Sequence, residues 1–308
     1  METDRIRLRP WQESDAEALF KYASDPEVST RAGWKTHQSV EESLEIIRTV
    51  FSNDYTWAIE LKETHEAIGT IGYYTHDTSN IHIGTKDCEV GYWIGKPYWN
   101  LGIATEALRL MIHHCINVMH FETIWADHFM GNVASGRVME KCGFKDTGMC
   151  NHCSNLLGGD KDMVKIYKLD VKNLCLNLAL EVFMEFEAPV YPQEGIEEFK
   201  QALKNPDYTD LLTFYALMHD NTIVGMLATR NQGSHIALFF VKTAHQGKGI
   251  GRTLYEMAAN QCPTDFMTVF SSPYAIPIYK ALGFEATDDE QIDNGVRYTP
   301  MRKQIRIL

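Results

Sequence analysis

The stretch HQGKGIGR, His245 to Arg252, places three glycines and a lysine between the apolar run HIALFFV and the segment TLYEMAANQ. Glycine at this density lets the backbone aim several N–H groups at one point, because its φ is unrestricted. A strand entering such a loop and a helix leaving it add the positive end of a helix dipole. Gln246, Gly247, Lys248, Gly249, Ile250, Gly251 and Arg252 therefore read as a pyrophosphate cradle or as a flexible turn. Two other glycine signatures are excluded. Walker A needs Ser or Thr after Gly-Lys, where Gly249 stands. The dinucleotide fingerprint needs a glycine where Arg252 stands.

Other chemistry is weakly represented. The tightest Cys/His cluster, Cys142, Cys150, His152 and Cys153, lacks the second paired set of a zinc site, so no metal is expected. Seven scattered cysteines read as reduced cytosolic thiols, which points to the cytoplasm. The adjacent His113 and His114 read as surface histidines, because neighbours on a helix face different ways. A net charge of −12 argues against nonspecific nucleic-acid or membrane-surface binding and suits an amine substrate. The opening METDRIRLRP has no apolar leader segment. No apolar run approaches the ~18 residues of a membrane span.

The elements that hold the glycine loop occur twice. Cys88–Ile116 and Ser234–Cys262 each give an apolar strand, a short loop, a Gly-x-small turn and a helix. Gly102 falls on Gly249, Ile103 on Ile250 and Ala104 on Gly251. Downstream, each half has a short strand (TIWADHF; FMTVF) and a helix ending in Gly-Phe. Upstream, alternating apolar residues predict hairpins from YTWAIELKE with AIGTIGYYT and from LLTFYALMHD with TIVGMLATR. The repetition favours the cradle over the turn. With 308 residues the chain accommodates two domains, read as 1–170 and 171–308, with the strand MVKIYKL taken with the first.

These pieces resemble tandem GNAT-family (Gcn5-related) N-acetyltransferase domains. QGKGIG matches the Q/R-x-x-G-x-G/A motif through Gln246, Gly249 and Gly251, and AIPIYKALGF matches the fourth-helix signature. The first half resembles the RimJ/RimL-like branch through RIRLRPWQESDAEALFKYASDPEV, EVGYWI, YWNLGIATEAL and NVASGRVMEKCGF. It departs from the motif at Trp99, which replaces Gln or Arg, and at Asn100 and Leu101, which replace Gly-Lys. The resemblance implies an α/β fold with mixed sheets and acetyl-CoA as cofactor. The cofactor would lie along Trp99, Asn100, Leu101, Gly102, Ile103, Ala104 and Thr105 in one half, and along Gln246 to Arg252 in the other.

The implied reaction is direct acetyl transfer to a primary amine. The amine must lose a proton, the carbonyl oxygen needs donors, and the thiolate (thiol pKa ~8.5) needs a proton. The resemblance offers Glu89 as base in the first half, where the alignment gives the second Ile236 with His235 beside it. It offers Tyr279 as proton donor in the second half, where the first has Met139. Asn132 and Ser135 resemble an Asn-x-x-Ser pair at the cofactor arm, and backbone N–H groups near Ile94 and Val241 would serve the oxygen. For the amine pocket the candidates are Trp34 and His37 in the first half, and Glu185, Glu187, Tyr191 and Glu194 in the second. Partners would be a small-molecule or peptide amine, with a homodimer left open. The alternative is an acyl-CoA-binding or regulatory protein in which at least one domain is inactive, since base and phenol fall in different halves.

Overall fold

The computed structural model describes residues 1–153, 162–220 and 222–305. The chain divides into two compact units, Met1–Asp170 and Val171–Leu308.

In the first unit, β1 (Ile6–Arg9) leads into α1 (Ala16–Ala23), α2 (Pro26–Ala32) and α3 (Val40–Thr49). Then come β2 (Thr56–Leu61), β3 (Glu66–Tyr74), β4 (Asp87–Ile94), α4 (Ile103–Asn117), β5 (Thr123–Phe129), α5 (Val133–Glu140), β6 (Lys145–Cys153) and β7 (Asp162–Asp170). The seven strands lie in the order β1-β2-β3-β4-β5-β7-β6. In the second unit, α6 (Val171–Phe186), α7 (Gln193–Lys204) and α8 (Pro206–Thr209) precede β8 (Thr213–His219), β9 (Thr222–Arg230) and β10 (His235–Val241). The chain continues through α9 (Ile250–Gln261), β11 (Phe266–Ser271), α10 (Ile276–Ala281), β12 (Glu285–Ala286), β13 (Gln291–Asp293) and β14 (Val296–Gln304). Here the order is β12-β14-β11-β10-β9-β8, with β13 on β14. Both hairpins expected from the alternation form, β2 with β3 and β8 with β9.

Both sheets are mixed for the same reason. A helical crossover joins β4 to β5 and β10 to β11, and these pairs alone run parallel. The central strands β3 and β9 are covered on both faces, so they are buried almost end to end. On α4, Ile103, Ala107, Leu108, Met111, Ile112 and Cys115 form one buried stripe at helical spacing. No helix among the described residues is long and apolar enough to cross a membrane.

Both sheets open at the parallel pair. β4 pairs with β5 only over Asp87–Glu89, and β10 with β11 only over His235 and Ile236, although all four strands run further. The Gly95 N–H bonds Ile68 O at 2.8 Å and the Lys242 N–H bonds Val224 O at 2.9 Å. These bonds set the ladder's alternation, which turns the N–H groups of Tyr92, Ile94, Phe239 and Val241 toward the opened side.

The Gly-Phe pairs end α5 and α10 identically. Gly143 and Gly283 take φ of 91° and 90°, which a side chain would resist. The Phe144 N–H then bonds Met139 O at 3.1 Å, and the Phe284 N–H bonds Tyr279 O at 2.9 Å. Both phenylalanines are buried. This closure fixes Tyr279, whose ring lies 5.5 Å from that of Phe284.

Candidate functional site

The two glycine loops share one backbone path despite their different sequences. Asn100 and Gly247 have φ of 62° and 71°, and Gly102 and Gly249 have φ of 80° and 84°. Asn is the residue after glycine that best tolerates this region, which explains Asn100. Trp99 and Gln246 also do one job with different chemistry. The Trp99 Nε1–H donates to Ile94 O at 2.7 Å, and the Gln246 Nε2–H donates to Val241 O at 3.0 Å. Each clasps its loop to the end of the preceding strand. The Arg31 guanidinium stacks 4.5 Å over the Trp99 ring.

Beyond each loop, α4 and α9 begin with no side-chain cap, so their first N–H groups are free to face an anion. A Cβ added at Gly249 would have nothing within 4 Å, which leaves room for a phosphate. Lys248 and Arg252 stand beside this opening on exposed positions. In the first unit Glu106 lies in the opening turn of α4, where it would repel phosphate. The Arg5 Nε–H bonds its carboxylate at 2.8 Å and offsets that charge. Gly249→Asp adds strain at positive φ and a like charge beside phosphate. It is expected to weaken acetyl-CoA binding by about tenfold or more (about 1.4 kcal/mol), measured by calorimetry on the full chain.

In the second unit a cavity of about 370 Å³ brings together Glu187, Tyr191, Arg230, His235, Ser272 and Tyr279. A second cavity, of similar volume, is lined by Phe239, Gly251, Arg252, Pro277, Ile278, Ala281 and Leu282. Phe239 lines both. Glu187 follows the last turn of α6, where burial pushes its carboxyl up to about 7 against a smaller opposing effect of the Ser272 hydroxyl. Burial, and then the Glu187 charge, raise the Tyr279 phenol, so it stays protonated. Sequence alignment left this half without a carboxylate beside the tyrosine. The structure supplies one from a different element, the end of α6 rather than the strand.

The other second-half candidates separate clearly. The Tyr191 phenol donates to Arg297 O at 2.8 Å and also lines the cavity. Glu185 instead accepts from the Thr243 hydroxyl at 2.7 and 2.8 Å, and Glu194 is exposed at the start of α7. The aligned position of Ile236 is also explained. A bulge between Ile236 and Leu238 shifts the register, and Ile236 packs into the core with Leu254 and Tyr279. His235 lies in the cavity, with its ring nitrogens 2.8 Å from Thr268 Oγ1 and 3.3 Å from Arg230 Nη2. Burial, then Arg230, push it down to about 4, so it is neutral near pH 7.

In the first unit Glu89 is 5% exposed on β4. The Ser79 hydroxyl and the Asn80 N–H donate to its Oε2 at 2.6 and 3.0 Å. Burial raises its carboxyl, and those bonds only partly offset the shift. Trp93 shares this strand face by the period of two. Trp34 packs 5.5 Å from Trp93, over the same face. His37 is buried beside Trp34, their rings 5.3 Å apart, with Nδ1 2.8 Å from Ser43 Oγ, and burial holds it below its ordinary value.

The sequence reading missed Tyr92. Its hydroxyl lies 3.0 Å from Ser135 Oγ and donates to Ser135 O at 3.2 Å, and burial raises the phenol. Asn132 caps α5 and donates to Arg31 O at 3.2 Å. The phenols are thus exchanged between elements. The first unit has Tyr92 on the strand and buried Met139 on the helix, and the second has Phe239 on the strand and Tyr279 on the helix. The rings of Phe239 and Tyr279 lie 6.0 Å apart. The exchange has a sequence signal, visible only when strand and helix are compared together.

Among the described residues no group of His, Cys, Asp and Glu is arranged to hold a metal. Cys142 is buried and Cys150 exposed, and the side chains of His152 and Cys153 lie outside the described residues. His113 is exposed, whereas His114 is half-buried edge-on to Trp57 at 5.3 Å, a correction to its reading as a surface residue.

Against this geometry, the acetyltransferase (GNAT) domain family matches twice, over residues 5–145 and 187–305. The chain is 32% identical over 154 residues to the uncharacterized N-acetyltransferase YoaA of Bacillus subtilis, covering 48% of this chain and 84% of YoaA. It is 29% identical over 154 residues to the uncharacterized N-acetyltransferase p20 of Bacillus licheniformis, covering 48% of this chain and 83% of p20. Among solved structures, Mycobacterium smegmatis RimJ in complex with CoA-disulfide is 20% identical with a TM-score of 0.45, covering 55% of this chain and 83% of that one. The chain belongs to the GNAT acetyltransferase family, with two such domains in tandem.

Proposed function

We propose that each unit transfers an acetyl group directly from acetyl-CoA to a primary amine. The observation that carries this reading is that Phe239 lines two cavities of the second unit. One reaches the glycine loop and the uncapped start of α9, and the other holds Glu187 and Tyr279. Bound acetyl-CoA supplies an activated acyl carbon and a thiolate leaving group. Gly249, Ile250 and Gly251 direct N–H groups at the pyrophosphate, with Lys248 and Arg252 adding charge. Glu187 takes the proton that the ammonium must lose before its nitrogen can attack. The Phe239 and Val241 N–H groups serve the negative charge that develops on the carbonyl oxygen. Tyr279 gives its proton to the sulfur as the C–S bond breaks, Glu187 returns the first proton to the phenol, and the second proton that nitrogen sheds in becoming an amide leaves to solvent.

In the first unit the same roles fall to Glu89 as base, to the Tyr92–Ser135 pair as proton donor, and to the Tyr92 and Ile94 N–H groups. A base and a phenol in each unit weigh against a binding-only role for either. Thiol release from acetyl-CoA, followed by mass detection over a panel of amines, tests the reading; saturable acetyl-CoA binding without turnover for any amine would overturn it. With the second unit silenced by Glu187→Gln, adding Glu89→Gln is expected to lower the remaining rate by about 10²-fold. Acetyl-CoA affinity should hold, and an unchanged rate from acid to alkaline pH would remove Glu89 from the proton transfer.

A further inference from the structure

Arg230, at the end of β9, lines the second-unit cavity that also holds Glu187 and Tyr279. Its buried Nε–H has no hydrogen-bond partner among the described residues. Its Nη2 lies 3.3 Å from His235 Nε2, and its guanidinium carbon 5.9 Å from the centre of the Phe270 ring. His235 is neutral near pH 7, so its Nε2 can accept from Arg230 but contributes no negative charge. Glu198 and Asp293 also line the cavity, yet neither forms an ion pair with Arg230. The other cavity arginine, Arg297, is paired with Glu290 at 2.6 Å. Arg230 is half-buried, its Nε is shut off from water and no anion is paired with it, which is the more notable in a chain of net charge −12. Its fork of donors matches a carboxylate. Phe183, Phe199, Phe240 and Phe270 supply an aromatic wall between the polar groups.

We infer that Arg230 receives a carboxylate of the acceptor, so that the second unit acetylates an amine carrying its own carboxylate on an apolar frame, the class of apolar amino acids. This rests on the reading of that cavity as the acceptor side of an acetyltransferase. The amine end would meet Glu187, the apolar body the phenylalanines, and the acid end Arg230.

Binding can be tested without turnover. In the full chain saturated with CoA, calorimetry compares 3-phenylpropanoate with 3-phenylpropanamide, which differ in charge and little in shape. The expected result is that the acid binds about tenfold tighter or better, and that Arg230→Gln abolishes the difference while Arg230→Lys keeps part of it. Equal binding of acid and amide by the wild-type chain, or binding of neither, overturns the inference whatever the variants do. Turnover is then read with L-phenylalanine against 2-phenylethylamine, and 4-(aminomethyl)benzoate against benzylamine, in a chain carrying Glu89→Gln. At least one acid should exceed its partner in kcat/KM by about tenfold, and Arg230→Gln should erase this chiefly through KM. Preference for the carboxylate-free amines would also overturn the inference. Tight acid binding with no amine acetylated would uphold the carboxylate site and count against the catalytic reading.

Discussion

Glu187→Gln, in a full-length chain also carrying Glu89→Gln, is expected to lower turnover at the second unit by about 10²-fold, the range for losing a general base. The pH dependence should change with it. A base acts only when ionised, and the Glu187 carboxyl is held up at about 7 by burial. The rate should therefore climb as pH rises through that value and then level off, whereas the glutamine variant should show no such rise. Stability separates this role from a structural one. A carboxyl raised in the folded state binds its proton more tightly there than in the unfolded chain. Its ionisation thus costs stability increasingly from the ordinary carboxyl value, ~4.3, up to about 7, and fully above that. At alkaline pH the glutamine variant should melt no lower than its parent. A slow variant that also melts lower would assign Glu187 to packing.

Tyr279→Phe removes one oxygen from a side chain that is 5% exposed. In the same Glu89→Gln background, turnover should drop by about 10²-fold, with acetyl-CoA affinity nearly unchanged. The loss should shrink with an acyl donor whose thiol is more acidic, because a better leaving group needs less help. A defect of equal size for both donors would mean that the phenol does not protonate sulfur. A stability loss without a kcat effect would make Tyr279 a core residue. No measurable second-unit activity in the Glu89→Gln chain would leave that half as a cofactor binder.

The loops and their partners were legible in sequence because they are local. Positive φ demands glycine or asparagine, and Gly-Phe after a helix demands one closing geometry, so the repeat survives in residue types. What escaped was non-local. An apolar run such as HIALFFV does not reveal that one residue is extra, so Ile236 was set opposite Glu89 although the bulge sends it into the core. Glu187 was named as an amine-pocket candidate, but it comes from a helix end far along the chain from Tyr279, and periodicity says nothing of their sharing one cavity. Tyr92 looked like one more aromatic in a strand, because only the fold shows that its hydroxyl reaches Ser135. The burial of His37 and its bond to Ser43 were equally hidden, because both depend on the path of a loop that has no periodicity.

The substitution of tryptophan for glutamine at the loop clasp also changes how the two halves can be observed. All six tryptophans, Trp11, Trp34, Trp57, Trp93, Trp99 and Trp125, belong to the first unit. One of them clasps the strand end at the edge of the glycine loop, with a guanidinium against its face. Indole emission is sensitive to such neighbours, so light absorbed by indole alone interrogates the first unit and its loop. The second loop, clasped by an amide, has no intrinsic chromophore of this kind. Occupancy of the two loops by one ligand can thus be told apart within an unlabelled chain, since the optical titration reads the first unit and the calorimetric one reads both.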